Sequence, residues 1–135
     1  MNQTNKDVFK LTMEARDHEC DIQGVVNNAH YQHYFEHARH RYLLDHKIDF
    51  AQLAKQGINL MVNHIEISYK ASLRAHDTFI VTVEPIQISK LKVCFKQIIY
   101  MTDSTKIMAI ANTTVVTVGD NAKPLKNSPL LTLFN

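Results

Sequence analysis

Asn27-Asn28-Ala29-His30-Tyr31-Gln32-His33-Tyr34-Phe35-Glu36-His37-Ala38-Arg39-His40-Arg41-Tyr42 is the stretch on which the fold turns. Tyr31, Tyr34, Phe35, Ala38 and Tyr42 recur at helical spacing and make one apolar stripe, which predicts a long helix running to about Asp45. Asn27 or Asn28 supplies its N-cap, because the side-chain oxygen can accept from an exposed amide one turn ahead. A shorter helix is expected over Phe50–Gln56, with Gly57 as its C-cap.

Outward from that helix the periodicity changes to two. Upstream, Phe9, Leu11 and Met13 alternate with Lys10, Thr12 and Glu14, as in a strand with one buried face. Downstream, strands are expected at Ile58–Tyr69, Thr78–Ser89, Leu91–Thr102 and Lys106–Gly119. Pro85 inside the second of these implies an edge position or a bulge. The tail after Asp120, with Pro124 and Pro129, reads as loosely attached. Four consecutive strands with short links favour an antiparallel sheet, and the helix stripe must pack on its inner face. The fold class is therefore α+β, in two layers.

The 135 residues fit a single domain, 1–135, with a core of its own. Hydrophobic residues at 45% and charged residues at 21% are ordinary for a globular protein. The polar N-terminal ten residues do not read as a signal peptide, and no stretch approaches the about 18 apolar residues of a membrane span. No membrane partner is expected, and the location expected is cytoplasmic. Cys20 and Cys94 lie too far apart for a CxxC motif and are expected as free thiols. A net charge of +2 does not suggest nucleic acid, and no aromatic residues interleave with the basic ones on a shared face.

Chemistry concentrates just before the helix. Asp17-His18-Glu19-Cys20-Asp21 holds three carboxylates, an imidazole and a thiol, and Gly24 and Asn27-Asn28 lead into the first helical turn. Amides there lack intrahelical partners and sit at the positive end of the helix dipole, where an oxyanion can be held. A carboxylate a few residues upstream can face the same point as base or nucleophile. The plainer reading of these residues is a charged loop and a capped helix.

The run Cys20-Asp21-Ile22-Gln23-Gly24-Val25-Val26-Asn27-Asn28-Ala29-His30-Tyr31, followed by Tyr34-Phe35-Glu36-His37-Ala38-Arg39, resembles the signature of the hotdog-fold acyl-CoA thioesterases. It is most similar to the 4-hydroxybenzoyl-CoA thioesterase-like group, with its Asp-x-x-Gly turn, Asn and Tyr at the helix start, and Phe-Glu-x-Ala-Arg. Ile65-Glu66-Ile67-Ser68-Tyr69 and Arg74-Ala75-His76-Asp77 resemble that family's later strand and turn. The likeness implies a hotdog fold, a curved antiparallel sheet of about five strands wrapped around one long helix. It implies Asp21 as the catalytic carboxylate, the Asn28 backbone amide as oxyanion donor, and Gly24 as the residue that lets the loop approach closely. It places Tyr31 at the substrate, with an acyl-CoA substrate, no cofactor, and a homodimer or homotetramer whose site lies between protomers. Two alternatives keep the fold: an acyl-carrier-protein thioesterase, and a non-catalytic acyl-CoA binding module. The chain departs from the pattern at Val25, where Gly-His or Gly-Ile is common, and at the polar Asn27-Asn28 pair, where some members carry aromatics. Both departures bear on acyl preference.

Two further patterns compete. His33-Tyr34-Phe35-Glu36-His37 fits H-x-x-E-H, whose histidines one turn apart can share a metal. Eight histidines make such pairs common by chance, and the thioesterase signature accounts for Glu36, so no metal is expected. Lys90, Lys92 and Lys96 share one strand face opposite Leu91, Val93 and Phe95. A solvated face is the plain reading. The functional one, supported by the resemblance, makes Lys90 and Lys92 contacts for the phosphates of coenzyme A.

Overall fold

A computed structural model describes residues 8–134. Strand β1 spans Phe9–Glu14, helix α1 Asn28–Asp45 and helix α2 Phe50–Lys55. Four strands follow, β2 (Asn59–Tyr69), β3 (Thr78–Gln87), β4 (Lys92–Met101) and β5 (Ile107–Val118), and a short 3-10 turn closes the chain at Pro129–Phe134. The five strands form one antiparallel sheet in the order β1-β3-β4-β5-β2. No described helix is long and apolar enough to cross a membrane.

The helix stripe is buried as its spacing predicts. Tyr31, Tyr34, Phe35, Ala38 and Tyr42 are all core residues, facing Phe79 and Val81 of β3 and Phe95 and Ile99 of β4. Tyr34 meets Phe79 in a tilted pair at 4.9 Å between ring centroids, and Tyr42 meets Phe9 of β1 edge-on at 5.5 Å. Arg39 reaches the other half of the sheet, bonding to Gln97 on β4 and Thr113 on β5. One helix thus spans the sheet's concave face, which is the hotdog architecture expected from the resemblance.

One expectation is met locally and one is corrected. Strand β3 runs between β1 and β4, but among the described residues its pairing with β1 covers Thr78–Val83, so Pro85 stands at a local edge and interrupts no described ladder bond to β1. The tail is docked. Leu125 N–H donates to Thr117 O, Ser128 and Thr117 hydroxyls bond at 2.5 Å, and Leu130 is 1% exposed in the core. Two prolines marked the tail as irregular, but irregular backbone packs well when its polar groups find partners.

Removing the Leu130 side chain tests this docking. Leu130→Ala should cost about 2–5 kcal/mol, the range for emptying a fully buried leucine site, read as a lower urea midpoint at unchanged m-value. An unchanged midpoint would show that the tail contributes nothing.

Candidate active site

The loop before α1 is a miniature hairpin. Cys20 bridges Val26, Asp21 N–H donates to Val25 O at 2.9 Å, and Gly24 N–H donates to Asp21 O at 2.9 Å. Gly24 has φ +80°, which only glycine adopts without strain. A Cβ there would meet nothing within 4 Å among the described residues, so within one copy the glycine is needed for backbone shape. The second arm is clasped from below by one residue. Val26 N–H donates to Leu73 O at 2.8 Å, and Leu73 N–H donates to the Tyr31 hydroxyl at 2.8 Å.

That clasp holds Asp21 at the tip. Its Oδ1 accepts from Gln23 N–H at 2.9 Å and more weakly from Val25 N–H at 3.4 Å, an Asx turn that fixes the carboxylate's direction. Among the described residues Oδ2 has no donor, and the residue is exposed. Beyond the hairpin, Asn27 caps α1. Its Oδ1 accepts from Ala29 N–H at 3.0 Å and its carbonyl from His30 N–H at 2.9 Å. The Asn28 amide, first in the helix, keeps no acceptor among the described residues.

The neighbouring carboxylate is differently placed. Glu19 Oε1 accepts from the Tyr34 hydroxyl at 2.6 Å and from Arg16 N–H at 2.9 Å. Burial pushes Glu19 up, but these two bonds together with the fields of His30 and His18 outweigh it and hold the carboxyl below its ordinary value. Burial and the same bond to Glu19 push the Tyr34 phenol well up, so Tyr34 stays a donor. Asp17 lies outside this contact and pairs with His76 at 2.9 Å on the surface.

The other expected site residues are scattered. Tyr31 is 2% exposed, its hydroxyl engaged by Leu73 and its ring edge-on to Tyr69 at 5.2 Å. It is a core residue that anchors the loop, not an open contact surface; a helical stripe of tyrosines cannot distinguish the two. Lys90 falls in the β3–β4 turn and, with Lys126, borders a groove of about 420 Å³. Lys92 and Lys96 lie on the exposed face of β4, where Lys96 stands opposite Glu84. His33 and His37 line an open groove of about 490 Å³ between α1 and β1, and no three metal-ligating side chains converge among the described residues. The sequence reading missed Leu73, whose contribution is backbone and carries no side-chain signal.

A family model described as the thioesterase-like superfamily matches residues 15–130. The chain belongs to that superfamily. It is 28% identical over 117 residues to the chloroplastic acyl-acyl carrier protein thioesterase ATL2 of Arabidopsis thaliana, a match covering 87% of this chain and 62% of that one. The chain thus spans about three-fifths of that relative's length. It is also 28% identical over 92 residues to the acyl-CoA thioesterase YbgC of Haemophilus influenzae, covering 66% of each. Its fold is similar to that of a 1,4-dihydroxy-2-naphthoyl-CoA thioesterase from Synechocystis, with a TM-score of 0.84, 20% identity and 88% of both chains covered. Within the superfamily match fall the hairpin, the helix start and the Leu73 clasp.

The Glu19–Tyr34 bond gives a signed pH prediction. A carboxylate held below its ordinary value of 4.5 contributes stability that is present above that value and lost as pH falls through the lower folded one. Tyr34→Phe should raise the Glu19 pKa, read by carboxyl NMR titration, and should destabilise the protein more at neutral pH than in acid. An unmoved titration would show that the bond does not form in solution.

Proposed function

We propose that the protein hydrolyses acyl thioesters, releasing the free acid and the thiol carrier, with coenzyme A as that carrier. The observation that carries this reading is an oriented carboxylate whose Oδ2 has no donor among the described residues, on the hairpin that leads into a helix N-terminus whose first amide has no acceptor among them. In this reading the substrate carbonyl oxygen takes its hydrogen bond from Asn28 N–H, where the helix dipole also favours negative charge. Asp21 Oδ2 then either attacks the carbonyl carbon or removes a proton from the water that does. The electron pair moves onto the carbonyl oxygen and returns as the carbon–sulfur bond breaks and the thiolate departs. Direct attack leaves an acyl–Asp21 anhydride for water to open. Superfamily membership and the two thioesterase relatives support the reaction class.

The site is proposed to be completed by a second copy of the chain. Asp21 is exposed, and Ile22 beside it is 102% exposed, so one protomer gives the reacting atoms no dry surroundings. Strand β2 is an 11-residue sheet edge with Met61 and Val62 half exposed, an arrangement soluble proteins avoid leaving open. Pairing of β2 with its copy would give a homodimer, and dimers could pair again into the tetramer.

A carrier-protein substrate is the second reading. Lys90 and Lys126 flank one groove and Lys92 projects nearby from β4, a basic face suited to coenzyme A phosphates or to an acidic carrier. The two differ in salt dependence, because a protein–protein encounter steered by several charges is screened more strongly.

Asp21→Asn should lower kcat for acyl-CoA hydrolysis by about 10²–10⁴-fold, the usual contribution of a positioned acid or base. Equal rates for the two proteins would remove Asp21 from the mechanism. A single turnover in ¹⁸O water then separates the routes, since label enters Asp21 only if an anhydride forms. Met61→Lys combined with Val62→Lys should convert the dimer to monomer by light scattering and lower activity with it. An active monomer would show that one protomer suffices.

A further inference from the structure

Helix α1 carries four of the chain's eight histidines, and the proposed reaction uses none of them. Three of the four, His30, His33 and His37, fall at i, i+3 and i+7, within an arc of about 60° on one face of the helix. Along the axis His33 stands about 4.5 Å from His30 and about 6 Å from His37. His33 and His37 are exposed and His30 is half-buried. Tyr31, Tyr34, Phe35 and Ala38, interleaved with them, are buried, so core packing fixes the backbone that carries the three imidazoles. None of the three pairs with a carboxylate among the described residues.

The rings of His30 and His33 lie 5.4 Å apart between centroids, 70° from parallel. Two imidazoles on one tetrahedral ion, each nitrogen about 2.0–2.1 Å from it, set their ring centroids about 5 Å apart. The pair therefore has the required spacing, and which nitrogen faces the gap is set by a torsion with broad wells. His33 and His37 stand one turn apart, the spacing at which helical histidines share a metal, and both line the open groove of about 490 Å³ between α1 and β1. Glu14 and Glu19 line that groove, as do Arg16 and Arg41, so its fixed charges offset and recognition falls to the imidazoles. Glu36, the carboxylate of the H-x-x-E-H pattern, stands 4.0 Å from His40 instead. No third ligand converges among the described residues, so water would complete the shell of a bound ion. Strand β1 is the sheet edge farthest from β2, so pairing through β2 leaves this groove outside the contact.

We infer that His33, with His30 before it and His37 after it, forms a surface site for a late first-row transition-metal dication, bound by two imidazoles at a time and otherwise by water. Neutral imidazole suits Cu²⁺, Ni²⁺ and Zn²⁺, whereas Mg²⁺ and Ca²⁺ require oxygen ligands. His33 belongs to both pairs, so it is the ligand that every binding mode shares. The plain alternative is a solvated helix face on which the three histidines act separately. The site does not rest on the thioesterase reading.

The test is calorimetric titration of the untagged full chain with Zn²⁺, with Ni²⁺-induced broadening of amide NMR signals to locate the ion. Zn²⁺ should bind in the micromolar range, and His33→Asn should weaken it at least about tenfold. His30→Asn and His37→Asn each leave one pair intact, and the two combined should weaken binding as much as His33→Asn. Whichever of the two weakens it more identifies the second ligand, and either result upholds the site. His64→Asn, on β2, should change nothing, and Mg²⁺ should not compete. Ni²⁺ should broaden signals around His33 in the wild type and not in His33→Asn. His33 is exposed, so its variant should keep the wild-type urea midpoint and be compared as a folded protein. Binding that survives His33→Asn, broadening centred elsewhere, or no Zn²⁺ binding up to millimolar concentration overturns the inference. Zn²⁺ binding needs no turnover, so an inactive enzyme and an absent metal site are separate outcomes.

Discussion

Everything else in this fold depends on seating α1 in the concave face of the sheet without stranding its polar groups. The buried face of the helix is not purely apolar, since it carries three tyrosines and a guanidinium, and the Tyr31 and Tyr34 hydroxyls and the guanidinium bond to other elements. Each is answered from a different element: Tyr31 by Leu73 N–H, Tyr34 by Glu19, and Arg39 by Gln97 and Thr113. Gln97 is the hinge of this arrangement. Fully buried on β4, it accepts from Arg39 and donates through Nε2 to Phe35 O at 3.0 Å, tying sheet to helix at both ends of one amide. A satisfied buried network of this kind fixes the helix's position along the sheet, which apolar packing alone specifies poorly.

Position along the sheet matters because the proposed site lies at the start of the helix. Once α1 is seated, Tyr31 sets the height of Leu73, Leu73 sets Val26, and Val26 sets the hairpin that aims Asp21. The chain of contacts is backbone-rich and short, so an error at the helix passes to the carboxylate almost undiminished. A hairpin held this way takes its position from secondary structure, while the Asx turn within it sets the direction of the Asp21 carboxylate.

Much of this was legible in the sequence. The helix is found at Asn28–Asp45 with Asn27 as its cap, and the four later strands end within two residues of their expected bounds, because strong periodicity and cap chemistry are local signals. What escaped is non-local. Whether Tyr31 meets ligand or core depends on where residue 73 lies in space, and Pro85 depends on how far β1 extends beside it. Arg39 depends in the same way on non-local structure, since its partners Gln97 and Thr113 come from strands far along the chain. The docking of Leu130 was hidden similarly, since a tail's attachment depends on the groove it meets.

The two carboxylates beside the hairpin show how environment divides roles between chemically similar groups. Glu19 Oε1 takes two donors, and Tyr34 locks it to the helix, so moving it would break the contact that seats the first turn. Asp21, two residues on, has one oxygen directed by backbone amides and the other pointing outward at the hairpin tip. The positive end of the helix dipole favours the ionised form of either carboxylate. Each has one oxygen that accepts twice; what separates them is the donor, because Glu19 is tied to the helix by the Tyr34 hydroxyl whereas Asp21 is held only by amides of its own hairpin. The structural carboxylate therefore holds the stage still, and the exposed one is available for chemistry once a partner surface or substrate excludes water around it.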